Sequence, residues 1–187
     1  LMLDVGQANE FKLACRRAGY TNADIKKLCE GDILAQFFPV LKGHANIVAR
    51  RHIVDLDADP FVPDGWKVEE HVMGGKFELD LTKIALYLDE EQQNDGLIVG
   101  NKLRKKLKGR PVLNANILDY LLVNHNLIPE EWKGKLIFFW GTTYRFSYDC
   151  LSVRYLGWDG LKWSWGWRWL GRDFDVNSPA AVLASSS

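Results

Sequence analysis

The first 45 residues have the spacing of short amphipathic helices. Apolar residues recur four and three positions apart between residues 7 and 18, which predicts a helix with one apolar stripe. Thr21 and Asp24 form a capping-box pair that predicts the start of a second helix, and Asp32 is the expected cap of a third. We expect the third helix to bury the apolar residues Ile33, Leu34, Phe37 and Phe38.

Residues 46–134 mix strand and turn signals. The β-branched pair Ile53 and Val54 predicts a strand that runs into an acidic loop with two prolines. The alternating run WKVEEHV is followed by Gly74 and Gly75, which predicts a hairpin with KFEL as the returning strand. The run KIALYL at residues 83–88 fits a strand and a short helix, and we favour the strand.

Two further helices are predicted before residue 134. The run NKLRKKLKG places Leu103 and Leu107 four positions apart and stops at Gly109, which indicates a short basic helix. The run NILDYLLVNH begins after a cap at Asn114 or Asn116 and predicts the central helix. Its expected apolar face consists of Ile117, Leu118, Leu121 and Leu122.

From Lys135 onward the hydrophobic pattern has a period of two. The runs KLIFFWGTTYRF, CLSVRYLGW and LKWSWGWRWL are separated by SYD and by a DG turn, which predicts a three-stranded antiparallel meander. We therefore expect one α+β domain, with a helical N-terminal segment and a mixed middle containing the central helix. The expected segments are 1–45, 46–134, the meander 135–172 and a tail 173–187, which we expect to fray from Asn177 onward.

Composition places this chain among ordinary globular proteins. Its 187 residues favour one domain, and 47% hydrophobic with 26% charged residues excludes wholesale disorder. No apolar run approaches the length of about 18 residues that spans a bilayer, so we expect a cytoplasmic protein without a membrane partner. The spacing of Cys15, Cys29 and Cys150 fits neither a zinc knuckle nor a redox pair, and we expect buried thiols.

The formal net charge of zero conceals three blocks of opposite sign. Residues 1–51 hold eight Lys and Arg against five Asp and Glu, residues 52–95 hold three against twelve, and residues 96–187 hold thirteen against seven. If the blocks occupy different faces, one basic surface could attract an anionic partner. The alternative is that the blocks neutralise one another within the fold.

The basic run between residues 101 and 110, in the predicted short basic helix, is the leading candidate site. Six cations within ten residues could contact several phosphates of a nucleic acid, or an acidic protein. The alternative is an ordinary solvated helix face. These cations are Lys102, Arg104, Lys105, Lys106, Lys108 and Arg110.

Four tryptophans at alternate positions form the most unusual pattern of the chain: Trp163, Trp165, Trp167 and Trp169. In a strand their rings share one face, where they could form a stacking platform for sugars or unpaired bases. The alternative is that a helical layer covers them as core. The sequence alone does not choose between a carbohydrate-binding module and a buried sheet face.

An acidic loop supplies the enzymatic alternative. Asp55 and Asp57, together with His52 or His71, could hold a catalytic divalent metal ion in a small hydrolase or nuclease. The alternative is a turn-rich surface loop. No GxGxxG, phosphate-loop, GxSxG or HExxH motif occurs in the sequence, so we lean away from an enzyme and expect no cofactor.

The runs GNKLRKKLKGRPVLNAN, LIPEEWKGK and FFWGTTYR resemble a recurrent family of small uncharacterised bacterial proteins. The similarity extends from about residue 7 over nearly the whole chain. The resemblance implies one integral unit of helices and sheet, and it carries over no activity, cofactor or catalytic residue. The sequence thus favours a non-catalytic binding or interaction module with a basic surface.

Overall fold

The structure, a computed structural model, describes residues 4–48, 51–146 and 150–184. It confirms an α+β protein, with five α-helices and a mixed sheet among these residues. The chain divides into two compact units, Leu1–Arg50 and Arg51–Ser187, where the sequence led us to expect one domain. None of the described helices has the length and apolar content that a bilayer crossing requires.

Helical caps define the first unit. Its helices are α1 (Val5–Arg17), α2 (Asn22–Leu28) and α3 (Ile33–Leu41). Asp4 and Thr21 close capping boxes with the third helical residue of α1 and α2, which satisfies backbone N–H groups at both starts. Asp32 precedes α3 without a side-chain capping hydrogen bond, contrary to its expected role.

The expected burial of apolar side chains in these helices is wrong. No residue of α1, α2 or α3 is buried, and Phe38 is 57% exposed. Cys15 is half-buried and Cys29 is exposed, so they are not the buried thiols that we expected. Small units bury a smaller fraction of their surface than large ones do.

A six-stranded sheet organises the second unit. Its strands are β2 (Lys67–His71), β4 (Ile84–Tyr87), β6 (Leu136–Phe146), β7 (Cys150–Trp158), β8 (Trp163–Trp169) and β10 (Ala180–Leu183). The order is β4-β10-β6-β7-β8, and β2 also pairs with β6. β6, β7 and β8 are antiparallel neighbours, while the SYD turn expected between β6 and β7 lies outside the described residues.

The predicted hairpin is wrong. β2 pairs with β6, in a register that places Lys67 opposite Arg145, and it does not pair with β3 (Lys76–Glu78). β3 pairs with β1 (Ile53–Asp55) in a separate two-stranded sheet. The long strand β6 extends past the end of β10, and β2 fills the free edge that remains.

The tail 173–187 contains two strands, and the second lies in the part that we expected to fray. β9 (Asp173–Phe174) pairs with β5 (Ile98–Val99), and β10 lies between β4 and β6. Ala180 and Ala181 are buried, because their side chains point to opposite faces of the sheet and each joins one of the two core clusters. The last three serines lie outside the described residues.

Two helices cover the two faces of this sheet. α5 (Ala115–Val123) packs with Ile137 and Phe139, whereas α4 (Gly100–Leu107) packs with Phe138 and Trp140. Because successive residues of a strand point to opposite faces, the two helices lie on opposite sides of β6. Asn114 is the N-cap of α5, as one of the two predicted alternatives.

The register between β6 and β7 shifts after Phe138, and Gly141 occupies the irregular segment. A Cβ at Gly141 would lie 2.8 Å from the backbone nitrogen of Asn114. The Gly141 N–H donates to the Leu113 carbonyl at 2.9 Å, and its carbonyl accepts from the Val72 N–H at 2.7 Å. Only glycine permits this close approach of two backbones.

We predict that Gly141→Ala lowers the free energy of unfolding by about 1–3 kcal/mol, because the added methyl group meets backbone atoms that cannot rotate away. Urea denaturation of the full chain measures the change. The control is Leu161→Ala, at a side chain that is 90% exposed. A Gly141→Ala protein as stable as this control would contradict the close approach.

Candidate functional site

Helix α4 carries the basic run, and its two leucines fix which side faces solvent. Leu103 and Leu107 are 0% and 4% exposed, so the apolar stripe lies against the core. The start of the helix is fastened where Gly100 N–H donates to the Arg172 carbonyl at 2.9 Å. The helix ends before Gly109, whose φ of +85° is typical of a glycine stop.

The acidic middle segment neutralises one side of α4. Lys102 Nζ lies 2.6 Å from a carboxylate oxygen of Glu91, and Lys106 Nζ lies 2.7 Å from Asp89 and 2.9 Å from Glu91. Hydrogen bonds to Asp89 and Glu91 raise the pKa of Lys106 above its ordinary value. The expectation that the charge blocks neutralise one another therefore holds for this side of the helix.

The other side of α4 borders a groove of about 860 Å³, which we call the α4 groove. Its charged lining consists of four cations and one carboxylate, namely Arg104, Lys105, Lys108, Arg110 and Glu70. Four of the six cations selected from the sequence thus meet at one place. Lys102 and Lys106 do not line it.

The four cations of the α4 groove differ in how they are held. Arg104 pairs with Glu70 of β2 at 2.7 Å, and the Arg110 guanidinium lies 4.0 Å from the centre of the Tyr87 ring. Lys105 and Lys108 form no salt bridge within the described ranges 4–48, 51–146 and 150–184. These two ammonium groups remain available for an anionic ligand.

The α4 groove also has apolar lining residues, which sequence reasoning missed. Trp140, Val72, Leu107, Pro111 and Val112 belong to it. The Trp140 side chain is 5% exposed, and its indole N–H has no acceptor among the described residues. Trp140 belongs to the FFWG run and Val72 follows β2, so the wrongly predicted hairpin concealed their approach to α4.

The tryptophan row is divided between core and surface. Trp163 is 6% exposed and belongs to the cluster around α5, so the expectation of a four-ring platform is wrong at this position. Trp165, Trp167 and Trp169 are 37%, 46% and 42% exposed. The covering helix reaches only the first ring, and a platform of the other three stays a prediction.

Aromatic side chains from other segments support the exposed part of this row. The Phe61 ring meets Trp165 at 5.7 Å with an interplanar angle of 69°, and Trp66 meets Trp167 at 5.4 Å and 79°. These are edge-to-face contacts, which aromatic pairs prefer to a flat sandwich. The neighbouring rings therefore stand at steep angles to the row and do not extend it as one flat surface.

A buried arginine lies beneath the row. The Arg154 side chain is 1% exposed, and its guanidinium lies 4.6 Å from the Trp165 ring centre. Both terminal nitrogens donate to the Asp119 carboxylate, at 3.0 and 2.6 Å. The pKa of Arg154 is raised because the hydrogen bonds and charge of Asp119 outweigh the cost of its burial. This ion pair links α5 to β7.

The acidic loop uses its carboxylates to hold its own backbone. Asp55 accepts from the Asp57 N–H at 3.0 Å, and Asp57 accepts from the N–H groups of Gly75 and Gly74, both at 2.8 Å. The hydrogen bonds from these two glycines lower the pKa of Asp57. Asp57 therefore fixes the glycine turn that we had assigned to a hairpin.

The two candidate histidines have partners within the chain. His52 Nδ1 lies 2.9 Å from the Tyr120 hydroxyl. The Leu56 carbonyl can only accept a hydrogen bond, so His71 Nε2 donates to it at 2.9 Å. His71 Nδ1 lies 2.8 Å from Thr142 Oγ1, which also accepts from the Ala115 N–H. Within the chain that the structure describes, no group of three or more His, Cys, Asp or Glu side chains could hold a metal ion.

Comparisons of the chain with models of protein families, with curated proteins and with solved structures found no match. The geometry of the site therefore carries the functional argument. Function belongs to the arrangement of specific side chains and does not follow from an α+β architecture.

We predict that Asp57→Ala destabilises the protein more at about pH 7 than at about pH 3. A carboxyl group whose pKa is lowered by folding stabilises above its unfolded pKa, and this stabilisation disappears as pH falls through the folded pKa. Urea denaturation of wild type and variant at both pH values measures the difference. Asp59→Ala in the same loop is the control, and an equal effect of both variants would refute the assigned role.

Proposed function

We propose that this protein is a non-catalytic binding protein that holds single-stranded nucleic acid in the α4 groove. The observation that carries the proposal is the lining of the groove, where four cations face one carboxylate beside apolar residues. Cations neutralise backbone phosphates and release their counterions, while apolar and aromatic groups accept unpaired bases.

The arrangement of the cations supports contacts to phosphate. Lys105 and Lys108 form no salt bridge within the described part of the chain, so a phosphate need not displace an existing partner. Arg104 and Arg110 are oriented by Glu70 and by the Tyr87 ring, respectively. Such prior ordering lowers the entropy cost of binding.

The apolar lining favours single strands over duplexes. A volume of about 860 Å³ lies within the range of small-ligand pockets, which suits one nucleotide and excludes a base-paired helix. Val72, Pro111 and Val112 offer apolar surface to a base that is free of a pairing partner. Bases in a duplex are stacked on one another and cannot enter such a groove.

We predict that the full chain binds labelled single-stranded DNA or RNA with an affinity that falls steeply with salt, and that Lys105→Gln/Lys108→Gln weakens this binding. Loss of two phosphate contacts should reduce the slope of the logarithm of affinity against the logarithm of salt by about 1.4. Fluorescence anisotropy across a salt series measures both quantities. Lys67→Gln/Lys76→Gln is the matched control, since both lysines are exposed outside the α4 groove.

Three outcomes would overturn the proposal. The first is no binding at low salt, and the second is equal loss in the groove variant and the control. The third is cleavage of the labelled strand with Mg²⁺ that a chelator abolishes, which would favour the metal-dependent nuclease alternative. If the first outcome is found and the protein binds an acidic protein, the α4 groove is a binding site for a protein partner.

A further inference from the structure

The tryptophan-rich strand β8 lies at an edge of the six-stranded sheet. It pairs with β7 on one side, and no described residue pairs with its other side. An edge strand presents backbone N–H and carbonyl groups that can pair with another strand.

The pairing with β7 determines which backbone groups are free. Leu170 N–H donates to the Leu151 carbonyl at 2.8 Å, and Asp159 N–H donates to the Lys162 carbonyl at 3.1 Å. Hydrogen-bonded pairs alternate along an antiparallel ladder. The backbone N–H and carbonyl groups of the even-numbered residues of β8 therefore point towards β7. The N–H and carbonyl groups of Trp165 and Trp167 therefore point to the open edge.

This edge lacks the usual guards against pairing. The register between β7 and β8 runs without a bulge from the Ser152–Trp169 pair to the Trp158–Trp163 pair, and the strand contains no proline or lysine. Its one charged side chain, Arg168, donates to Ser178 at 2.7 Å and lies over the Phe174 ring. The charge is thus held over the sheet and does not block the edge.

The sequence of β8 is symmetric about its central glycine. In WSWGWRW, Trp165 and Trp167 are equally distant from Gly166, and so are Trp163 and Trp169. In an antiparallel pair centred on Gly166, each tryptophan lies opposite a tryptophan of the other strand, and Arg168 lies opposite Ser164. No like charges meet, and the outward groups of Trp165 and Trp167 form hydrogen-bonded pairs.

We propose that β8 pairs antiparallel with β8 of a second copy of this chain, about a twofold axis that passes between the two Gly166 residues. The occupant is a second copy because a twofold interface requires a self-complementary surface, which this symmetric strand provides. The sheets of the two copies become continuous, and the exposed rings of both rows join on one face. This inference does not depend on the α4 groove, since Trp140 and the Trp row belong to opposite faces of the sheet.

The test is sedimentation equilibrium of the full chain from about 1 µM to about 1 mM, which spans weak and moderate dimers. The informative comparison is Trp167→Pro against Trp167→Ala. Both remove the ring, but only proline removes the outward N–H, and the ladder with β7 does not use that group. Two symmetric hydrogen bonds are lost, so the proline variant should dimerise about 5- to 150-fold more weakly than the alanine variant.

A second pair of variants protects the test against misfolding of the proline variant. Trp167→Lys places a charge on the edge and should abolish the dimer, whereas Val123→Lys adds the same charge at a residue 84% exposed near the end of α5 and should not. A wild type that is monomeric throughout would overturn the proposal. So would a dimer that persists in folded Trp167→Pro and Trp167→Lys proteins, or a monomer that uses β8 to bind a foreign peptide or an oligosaccharide.

Discussion

The approach of β6 to the segment before α5 constrains most of the second unit. At Gly141, the N–H bonds to Leu113 and the carbonyl bonds to Val72, so one residue joins three segments that are distant in sequence. The adjacent Thr142 hydroxyl group accepts from Ala115 at the start of α5 and contacts His71. The position of α5, the end of β2 and the apolar lining of the α4 groove all follow from this contact.

Opposite charges act differently on the two sides of α4. Glu91 and Asp89 pair with Lys102 and Lys106, and these pairs hold that side of the helix against the acidic segment. The exposed Lys102–Glu91 pair contributes little net stability. On the groove side, Glu70 is the one carboxylate that opposes the cations among the described lining residues. The near-zero net charge of the whole chain thus coexists with a local cationic surface, because the acids are concentrated where they meet one side of the helix.

Local patterns predicted the elements, and long-range pairing decided what they form. The spacing of Leu103 and Leu107 was sufficient to predict α4, since burial of one stripe determines which residues face solvent. The partner of β2 was not predictable from WKVEEHV and the glycines, because the free edge of β6 is far away in sequence. For the same reason the sequence located the cations of the groove but not Trp140. The Trp row was ambiguous because coverage by α5 ends after Trp163.

The location of β10 has a consequence for synthesis on the ribosome. β10 follows all other described strands in the chain, yet it lies between β4 and β6 in the sheet. β4 therefore remains without its partner strand until nearly the whole second unit has left the exit tunnel. Contacts of such large sequence separation fold slowly and leave apolar strands uncovered in the meantime. The edge of β4 is accordingly open to non-native strand pairing during this interval.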